Sequence, residues 1–357
     1  MADRTRVGTH LERAVRWMPG GRAGIGLGLA LGLAVTVALL LASGLVPSGA
    51  QAASPTPLRP AANNAATIRS AATVLLVICT TIFVVVEVLL LTSIIRFRGR
   101  REEDASTSEG NRNLETAWTV IPFLIVTVLF VITFTTMRRL QPPGRQTTLT
   151  ATGHQWWWQF EYGPSTVTAN EMHLPIGVPV RIALKSADVI HSFWVPQLAG
   201  KTDMSPGRTT FTGFTAQKPG WYLGECSEFC GAQHAHMRFW VKVETPEEYG
   251  AWLRLQQAPA GQPAPGDATK GRDLFLAKPC VGCHTIRGTI AAGTIGPDLT
   301  HIGGRRSLAA GTLNMTPTDV ASWVLDPQAI KPGALMPIVG VTPDEARLLA
   351  TYLTGLR

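Results

Sequence analysis

The sequence predicts a membrane protein of several domains, with a helical hairpin followed by an all-β domain and a helical C-terminal domain. Three observations support this prediction. Apolar residues make up 45% of the 357 residues and concentrate in three long runs near the N-terminus, as in membrane-spanning segments. Short segments of alternating polarity follow, and helical patterning resumes after a stretch rich in proline and glycine. A chain of this length is expected to form two or three domains.

The first apolar run, 25–46, follows an arginine-rich flank and ends in small residues at 48–53. This pattern predicts a signal peptide that is cleaved near 50–53. The run is also long enough to remain in the membrane as a helix. Residues 1–53 are therefore predicted to be a signal peptide or an N-terminal transmembrane segment.

The second and third apolar runs, 68–95 and 118–137, are each long enough to cross a bilayer as a helix. Together they predict a transmembrane hairpin within 54–140. The link between them is rich in arginine and is expected to be cytoplasmic, which places everything after 137 on the extracytoplasmic side. Glu87 lies in the middle of the second run, where a charged carboxylate costs about 2.5–3.5 kcal/mol, so it is expected to face protein or to be protonated.

The net charge of +8 does not indicate a nucleic-acid-binding protein. The basic residues cluster at the N-terminus and beside the apolar runs, where they act as topology signals. The predicted partners therefore include a membrane and no nucleic acid.

The pattern changes between 146 and 243. Short alternating segments at 147–151, 178–184, 209–214 and 239–243 are separated by glycine and proline. Such spacing predicts a β-sandwich or a β-barrel, and we assign this domain to 141–250.

A stretch rich in proline, glycine and alanine at 259–266 marks a further boundary, and the predicted linker is 251–266. The domain that follows, 267–357, has helical patterning at 269–277, 318–325 and 343–356. Thr342 and Glu345 form a capping-box signature for the last helix.

A loop in the β-domain has the composition of a metal site. Cys226, Cys230, His234 and Met237 lie close together in the sequence, and soft sulfur with imidazole is a ligand set that favours copper. Zinc is the alternative metal, although zinc sites usually require further cysteines or histidines and do not use methionine. A disulfide between the two cysteines is the purely structural alternative.

The C-terminal domain contains the pattern C-x-x-C-H at Cys280, Cys283 and His284. This is the attachment pattern of a c-type haem, in which two thiols bind the vinyl groups and the histidine binds the iron. A thioredoxin-like dithiol or half a zinc site is the alternative. A thioether opposite the histidine suits electron transfer, and Met336, in a loop bounded by glycine and proline, is favoured over Met315.

Residues 68–245 resemble subunit II of the haem-copper cytochrome c oxidases. The resemblance rests on ETAWTVIP at 115–122, GHQWWW at 153–158, DVIHSFWVP at 188–196 and the loop 226–237. The segment 267–357 is similar to a class I cytochrome c. The fusion resembles the oxidases whose subunit II has its own cytochrome c.

The resemblance implies a cupredoxin-like Greek-key barrel that holds the dinuclear copper centre CuA. It implies a ligand set made of His191, Cys226, the backbone carbonyl of Glu228, Cys230, His234 and Met237. The carboxylate of Glu228 is expected to reach a magnesium site shared with subunit I, since a hard oxygen donor suits a hard cation. His236 is not carried over as a ligand.

The resemblance also gives Trp156 the position where electrons enter the copper domain and Glu115 the entrance of a proton path into subunit I. It implies an electron-accepting subunit of a proton-pumping respiratory oxidase in a bacterial plasma membrane, supplied by a cytochrome c or a quinol-oxidising complex. Oxygen is reduced in subunit I, and no residue of this chain is a candidate for that chemistry. A CuA subunit of a nitric oxide reductase and a membrane-tethered carrier without an oxidase partner are the alternatives.

Overall fold

The computed structural model describes residues 56–98, 110–146, 148–164 and 166–357. The predicted signal peptide or first membrane segment, and most of the arginine-rich link, lie outside these residues. The described residues belong to two compact units, one formed by 72–98 and 110–130 and the other by 56–71 and 131–357.

The first unit contains most of two apolar helices, α1 (Asn63–Phe97) and α2 (Arg112–Arg139). Both are long and apolar enough to cross a membrane. They contain the predicted segments 68–95 and 118–137 and extend beyond them. At the start of α2, the side-chain oxygen of Asn111 accepts from the backbone N–H groups of Asn113 and Leu114 at 3.0 and 3.3 Å. This cap places Glu115 in the first turn, where the helix dipole favours an acid.

The first turn of α1 belongs to the second unit and is held by it. The side-chain amide of Asn64 donates to the carbonyl of Gly213 at 2.6 Å, and the backbone N–H of Ala65 donates to Leu198 at 3.3 Å. The helix therefore begins before the apolar run, because its polar first turn is satisfied by the β-domain.

The β-domain of the second unit is a sandwich of two five-stranded sheets. In chain order its strands are β1 Leu149–His154, β2 Trp157–Tyr162, β3 Thr166–Ala169, β4 Glu171–Pro175, β5 Pro179–Ser186, β6 His191–Trp194, β7 Thr202–Met204, β8 Thr210–Thr215, β9 Gly220–Cys226 and β10 Arg238–Glu244. One sheet has the order β3-β2-β1-β5-β8 and the other β4-β10-β9-β6-β7. The pairs β1 with β5 and β4 with β10 are parallel, and the other pairs are antiparallel.

The two sheets share one apolar core. Its centre is aromatic: the ring of Phe239 lies 4.9 Å from those of Trp158 and Phe193, centroid to centroid. A Cβ atom at Gly224 would lie 2.3 Å from the Phe239 ring, so only glycine fits there. Buried and partly exposed residues alternate along β1 and β2, which confirms the predicted alternation and fixes which face of each strand is buried.

A helix, α3 (Pro246–Gln257), follows the last strand of the sandwich and begins with a capping box formed by Thr245 and Glu248. Its Trp252 stacks on His173 with the ring centroids 4.0 Å apart. The beginning of the predicted linker is therefore helical and packed on the sandwich, and residues 258–266 contain no helix or strand.

The C-terminal domain is mainly helical. Its helices are α4 Asp267–Ala277, α5 Cys280–Cys283, α6 Pro317–Leu325, α7 Pro327–Ile330 and α8 Pro343–Gly355. The three predicted helices are confirmed, as is the capping box of Thr342 and Glu345. A Cβ atom at Gly271 in α4 would lie 2.1 Å from the carbonyl oxygen of Leu348 in α8, so glycine permits the close crossing of these helices.

A buried histidine joins β4 to β10 in the sandwich. His173 Nδ1 lies 2.7 Å from Glu244 Oε1, and Nε2 lies 3.1 Å from Glu171 Oε1. Burial alone would lower the pKa of His173, but its hydrogen bonds with the two carboxylates outweigh that effect and raise the pKa above 6.5. At pH 6, below the ordinary histidine pKa, this histidine is therefore mostly protonated between the two acids.

Replacing this histidine by leucine, His173→Leu, is expected to cost about 3 kcal/mol of unfolding free energy at pH 6, because it leaves the buried carboxylate of Glu171 without its cation. Glu244 keeps its ion pair with Lys242. A histidine with a raised pKa contributes its full stabilisation below the unfolded-state pKa, and the contribution is lost as the pH rises through the folded-state pKa. Thermal unfolding followed by tryptophan fluorescence should show the difference from wild type shrinking as the pH rises. An equal difference at every pH would contradict the charged state.

Candidate copper and haem sites

Two thiols form the centre of the first candidate site. Cys226 ends β9 and Cys230 lies in the loop that follows, and both are buried. Their sulfur atoms are 3.8 Å apart, far beyond the length of about 2.05 Å of a disulfide bond, and both cysteines are free. The alternative of a structural disulfide is therefore wrong for this structure.

The other predicted donors surround these thiols. His191 Nδ1 lies 3.8 Å and the carbonyl oxygen of Glu228 3.3 Å from Cys226 Sγ. His234 Nδ1 and Met237 Sδ lie 3.5 and 3.7 Å from Cys230 Sγ. The ligand atoms of His191 and the two cysteines all lie within 4.8 Å of one another. Two thiols, two imidazoles, a thioether and a carbonyl form a predominantly soft donor set that fits copper.

The sheet brings the distant donor to this loop. His191 begins β6, which pairs with β9 so that Phe193 faces Cys226 across the ladder. Met237 immediately precedes β10, which pairs with the other side of β9. Three neighbouring strands of one sheet therefore position the donor set.

Two side chains of the loop point to other partners. The carboxylate of Glu228 forms an ion pair with Lys201, whose Nζ lies 3.2 Å from Oε2. His236 Nδ1 is 2.8 Å from Gln233 Oε1. The carbonyl of Glu228 and its carboxylate thus serve different neighbours, and the magnesium role of the carboxylate stays a prediction.

The two thiols differ in acidity. A hydrogen bond with Cys230 outweighs the effect of burial and lowers the pKa of Cys226 to about 3. The same interaction raises the pKa of Cys230 above its ordinary value. One thiolate is therefore available for a metal at neutral pH, and metal binding must release the proton of the second thiol.

An aspartate that sequence reasoning gave no role orients His191. Asp188 Oδ1 lies 2.7 Å from His191 Nε2, which leaves Nδ1 facing Cys226. Burial alone would lower the pKa of His191, but its hydrogen bonds with Cys226 and Asp188 raise the pKa above its ordinary value. The backbone N–H of Gln155 donates to Asp188 Oδ2 at 2.6 Å and fixes the carboxylate. The sequence signal from which this role could have been predicted is an acid three residues before the predicted ligand.

Replacing this aspartate, Asp188→Asn, is expected to weaken copper binding by about 10–100-fold, the usual effect of removing an acid that orients a ligating histidine. Competition with a copper chelator would measure the change. Asp203→Asn is the matched control, because Asp203 is more than half exposed and pairs only with Lys201 among the described residues. Equal copper affinity in the two variants would contradict the orienting role.

The second candidate site is a cavity in the C-terminal domain. Its walls include Cys280, Cys283 and His284, and both cysteines are free. His284 Nδ1 lies 2.8 Å from the carbonyl oxygen of Pro297, which leaves Nε2 as the available ring nitrogen. Burial lowers the pKa of His284 and favours the neutral imidazole that binds a metal. These residues fit a covalently attached haem with a histidine ligand.

Met315 and Met336 both line this cavity. Met315 packs against the apolar core of the domain, whereas Met336 lies outside that cluster. The backbone oxygen of Met336 accepts from the side-chain amide of Gln328 at 2.8 Å. A methionine that is free of core packing is better placed to serve as a ligand, which favours Met336.

The β-domain closes part of the same cavity with Gln155, Trp156, Trp157 and Asn170. Trp156 is half-buried. Its Nε1 donates to the backbone oxygen of Cys230 at 3.0 Å, and the side-chain amide of Gln155 donates to the same oxygen at 2.7 Å. One indole therefore joins the wall of the haem cavity to the backbone of the copper loop.

Comparison with known proteins places these features in a family. The model of the cytochrome c oxidase subunit II transmembrane domain matches 57–136, that of its periplasmic domain matches 165–244, and that of cytochrome c matches 268–357. The chain is 38% identical over 257 residues to cytochrome c oxidase subunit 2 of Alkalihalophilus pseudofirmus, a match that covers 70% of this chain and 74% of the relative. The chain belongs to the cytochrome c oxidase subunit II family.

Other proteins are also similar to this chain. Cytochrome c oxidase subunit 2 of Bacillus subtilis is 30% identical over 297 residues, covering 76% of this chain and 83% of the relative. A crystal structure of the periplasmic domain of subunit II of cytochrome oxidase from Bradyrhizobium japonicum is 32% identical, with a TM-score of 0.31, and covers 33% of this chain and 97% of that chain.

Membership of the family gives a broad description of this chain. It is a membrane protein with extracytoplasmic soluble domains and a fused C-terminal cytochrome c domain, and it is part of an oxidoreductase complex with other oxidase subunits. Its two soluble domains imply CuA and haem. Glu115 in α2 and Glu87 in α1 belong to the helical unit, and their roles stay predictions.

Proposed function

We propose that this subunit II accepts electrons at a haem c in its C-terminal domain and passes them to a dinuclear CuA centre, which supplies the haem-copper site of subunit I. The position of the Trp156 indole supports this proposal most directly. This indole lines the haem cavity and is hydrogen-bonded to Cys230 in the copper loop. The two candidate sites therefore share a wall.

The copper ligands in this proposal are six groups, namely the two thiols and the four donors around them. Cys226 and Cys230 would bridge the metals, with His191 and Met237 on one copper and His234 and the carbonyl of Glu228 on the other. When bound, two coppers that share thiolates spread the charge of one electron over both metals, which suits rapid electron transfer. The chain's own contribution is rigidity, since the donors are positioned by three paired strands and a buried core.

The haem ligands in this proposal are His284 and Met336, with thioether bonds from Cys280 and Cys283. The carbonyl of Pro297 fixes the histidine ring at its other nitrogen, as hydrogen bonds commonly do for ligating histidines. A histidine and methionine pair gives a high potential suited to accepting electrons. The cavity walls in the C-terminal domain are mostly apolar side chains, among them Leu299, Val320 and Leu349.

Trp156 is proposed as the point where electrons enter the copper domain from the fused haem domain. A Cβ atom at Gly333 would lie 3.5 Å from the indole, so the loop that carries Met336 runs against its outer edge. This placement favours delivery by the fused domain over docking of an external cytochrome c on the indole. External donors, whether a small cytochrome c or a quinol-oxidising complex, would then deliver electrons to haem c.

The remaining roles concern subunit I. We propose that the carboxylate of Glu228 exchanges Lys201 for a magnesium ion shared with that subunit, and that Glu115 marks the entrance of its proton path. Proton pumping and oxygen reduction to water would occur in subunit I. We place the complex in a bacterial plasma membrane.

Purification of the complex tests the proposal. A tagged chain should copurify with a large subunit that contains the haem-copper centre, and the complex should consume oxygen with reduced cytochrome c as donor. Consumption of nitric oxide in place of oxygen would assign the chain to a nitric oxide reductase. A chain that binds copper and haem but copurifies with no large subunit would be an electron carrier.

A further inference from the structure

A buried lysine lies where the haem domain meets the copper domain. Lys331 is 3% exposed. Its Nζ donates to the backbone oxygens of Trp156 and His236 at 2.8 Å each and to that of Ala309 at 3.2 Å. Two of these acceptors belong to the copper domain and one to the haem domain. All three hydrogens of the ammonium group are therefore used, two of them across the contact between the domains.

The environment of Lys331 is unusual for a lysine. Among the residues that the structure describes, no carboxylate lies within 4.0 Å of its Nζ. A lysine at a surface usually extends its ammonium group into water, and burying that group is costly unless it is well hydrogen-bonded. Burial lowers the pKa of Lys331 to about 7. The inward position is thus maintained by the carbonyl contacts.

The loop that begins at Lys331 links both candidate sites. Pro332 accepts a hydrogen bond from the side-chain amide of Gln233, in the copper loop, at 2.9 Å. Gly333 lies against the indole of Trp156. Met336, the proposed haem ligand, follows three residues later. A movement of this loop would therefore change the distance between the proposed haem ligand and the copper loop.

We propose that Lys331 is a positioning residue that fixes the haem domain on the copper domain and thereby sets the rate of electron transfer between them. The inference rests on the proposed function. Lys331 lines the haem cavity, but its side chain donates to none of the proposed metal ligands and acts through the backbone of Trp156 and His236.

Other contacts would keep the domains together without it. The backbone N–H of Arg306 donates to Glu171 Oε2 at 2.7 Å, and its guanidinium lies 4.5 Å from the ring centroid of Trp240. The backbone N–H of Arg238 donates to Ala310 at 3.0 Å. Removing the lysine contacts is therefore expected to loosen the contact beside Trp156 while these links persist.

The test compares Lys331→Met with wild type in the purified oxidase complex, using flash-induced reduction of haem c and optical detection of electron arrival at copper. Methionine fills a similar volume without donors. Transfer should slow by roughly tenfold, because loss of hydrogen bonds from a charged group lowers the population of the docked state. The slower transfer should also depend on solvent viscosity, whereas wild-type transfer should not. Lys331→Gln, which keeps two donors, serves if the methionine variant does not assemble.

Control measurements distinguish a positioning role from other effects of the substitution. The haem spectrum and the mixed-valence copper signal should match wild type, because the lysine donates no hydrogen bond to a proposed ligand. Lys270→Met, at a lysine that is 68% exposed, should behave as wild type. Unchanged transfer rates in Lys331→Met and Lys331→Gln would overturn the positioning role while leaving the proposed function intact. Absence of haem-to-copper transfer in wild type would instead overturn the proposed function and this inference with it.

Discussion

Replacing Cys226 by serine is expected to destroy the two-copper centre and stop electron flow from haem c to subunit I. Cys226 Sγ is the sulfur that lies near His191, Glu228 and Cys230 at once. A serine hydroxyl is a harder donor that holds its proton at neutral pH, so it cannot bridge two coppers as a thiolate does. Copper affinity should fall by more than about 100-fold, beyond the loss caused by changing a residue that only orients a ligand.

Metal analysis and electron paramagnetic resonance of the purified complex would check this expectation. Wild type should contain two CuA coppers per subunit II with a mixed-valence signal, and Cys226→Ser at most one with a mononuclear signal. Cys79→Ser is the matched control, because Cys79 is an exposed cysteine in α1. A mixed-valence signal in Cys226→Ser would show that the bridging assignment is wrong.

The second large effect is expected at the haem. Met336→Ala should abolish the spectral band of a low-spin haem with histidine and methionine ligands and lower its potential, because a thioether opposite histidine raises the potential. Electron acceptance from a cytochrome c donor should fall in parallel. Optical spectroscopy and a redox titration of the complex would measure both changes.

Met315→Ala provides the comparison. Met315 packs against the core of the haem domain, so its loss should lower stability by about 2 kcal/mol or more and leave the band unchanged. If Met315→Ala abolished the band and Met336→Ala preserved it, the ligand would be Met315.

Local patterns predicted most of the elements. The apolar runs predicted the two membrane helices, and alternation predicted strands such as β1 and β5, because burial on one face imposes a period of two. The beginning of α1 at Asn63 was missed because it depends on the hydrogen bond from Asn64 to Gly213, a contact between distant parts of the chain. The helix α3 was missed altogether, because it is held against the sandwich by a contact between distant residues, the stacking of Trp252 on His173.

The candidate sites were likewise predictable where they depend on local sequence and not where they depend on distant contacts. Cys226, Cys230, His234 and Met237 lie in one short segment, so spacing and ligand chemistry were sufficient to propose a metal loop. His191 came from the resemblance to a family, and the structure places it beside Cys226. The contacts of Lys331 could not be predicted from spacing, because they depend on how two domains pack.

The structure also sharpens the position of Trp156. Sequence resemblance placed it where an external cytochrome c delivers electrons. In the structure its indole lies between the fused haem domain and the copper loop. The fused domain therefore lies at the position that the resemblance assigns to an external donor.

The order of electron transfer in the intact wild-type complex tests the central claim most directly. Fully reduced complex would be mixed rapidly with oxygen, and haem c, copper and the haems of subunit I would be followed optically. The proposal predicts that the haems of subunit I are oxidised first, that copper then reduces them, and that haem c in turn reduces copper, before any external donor is added. Haem c that stays reduced while copper turns over with external cytochrome c would contradict the proposed function.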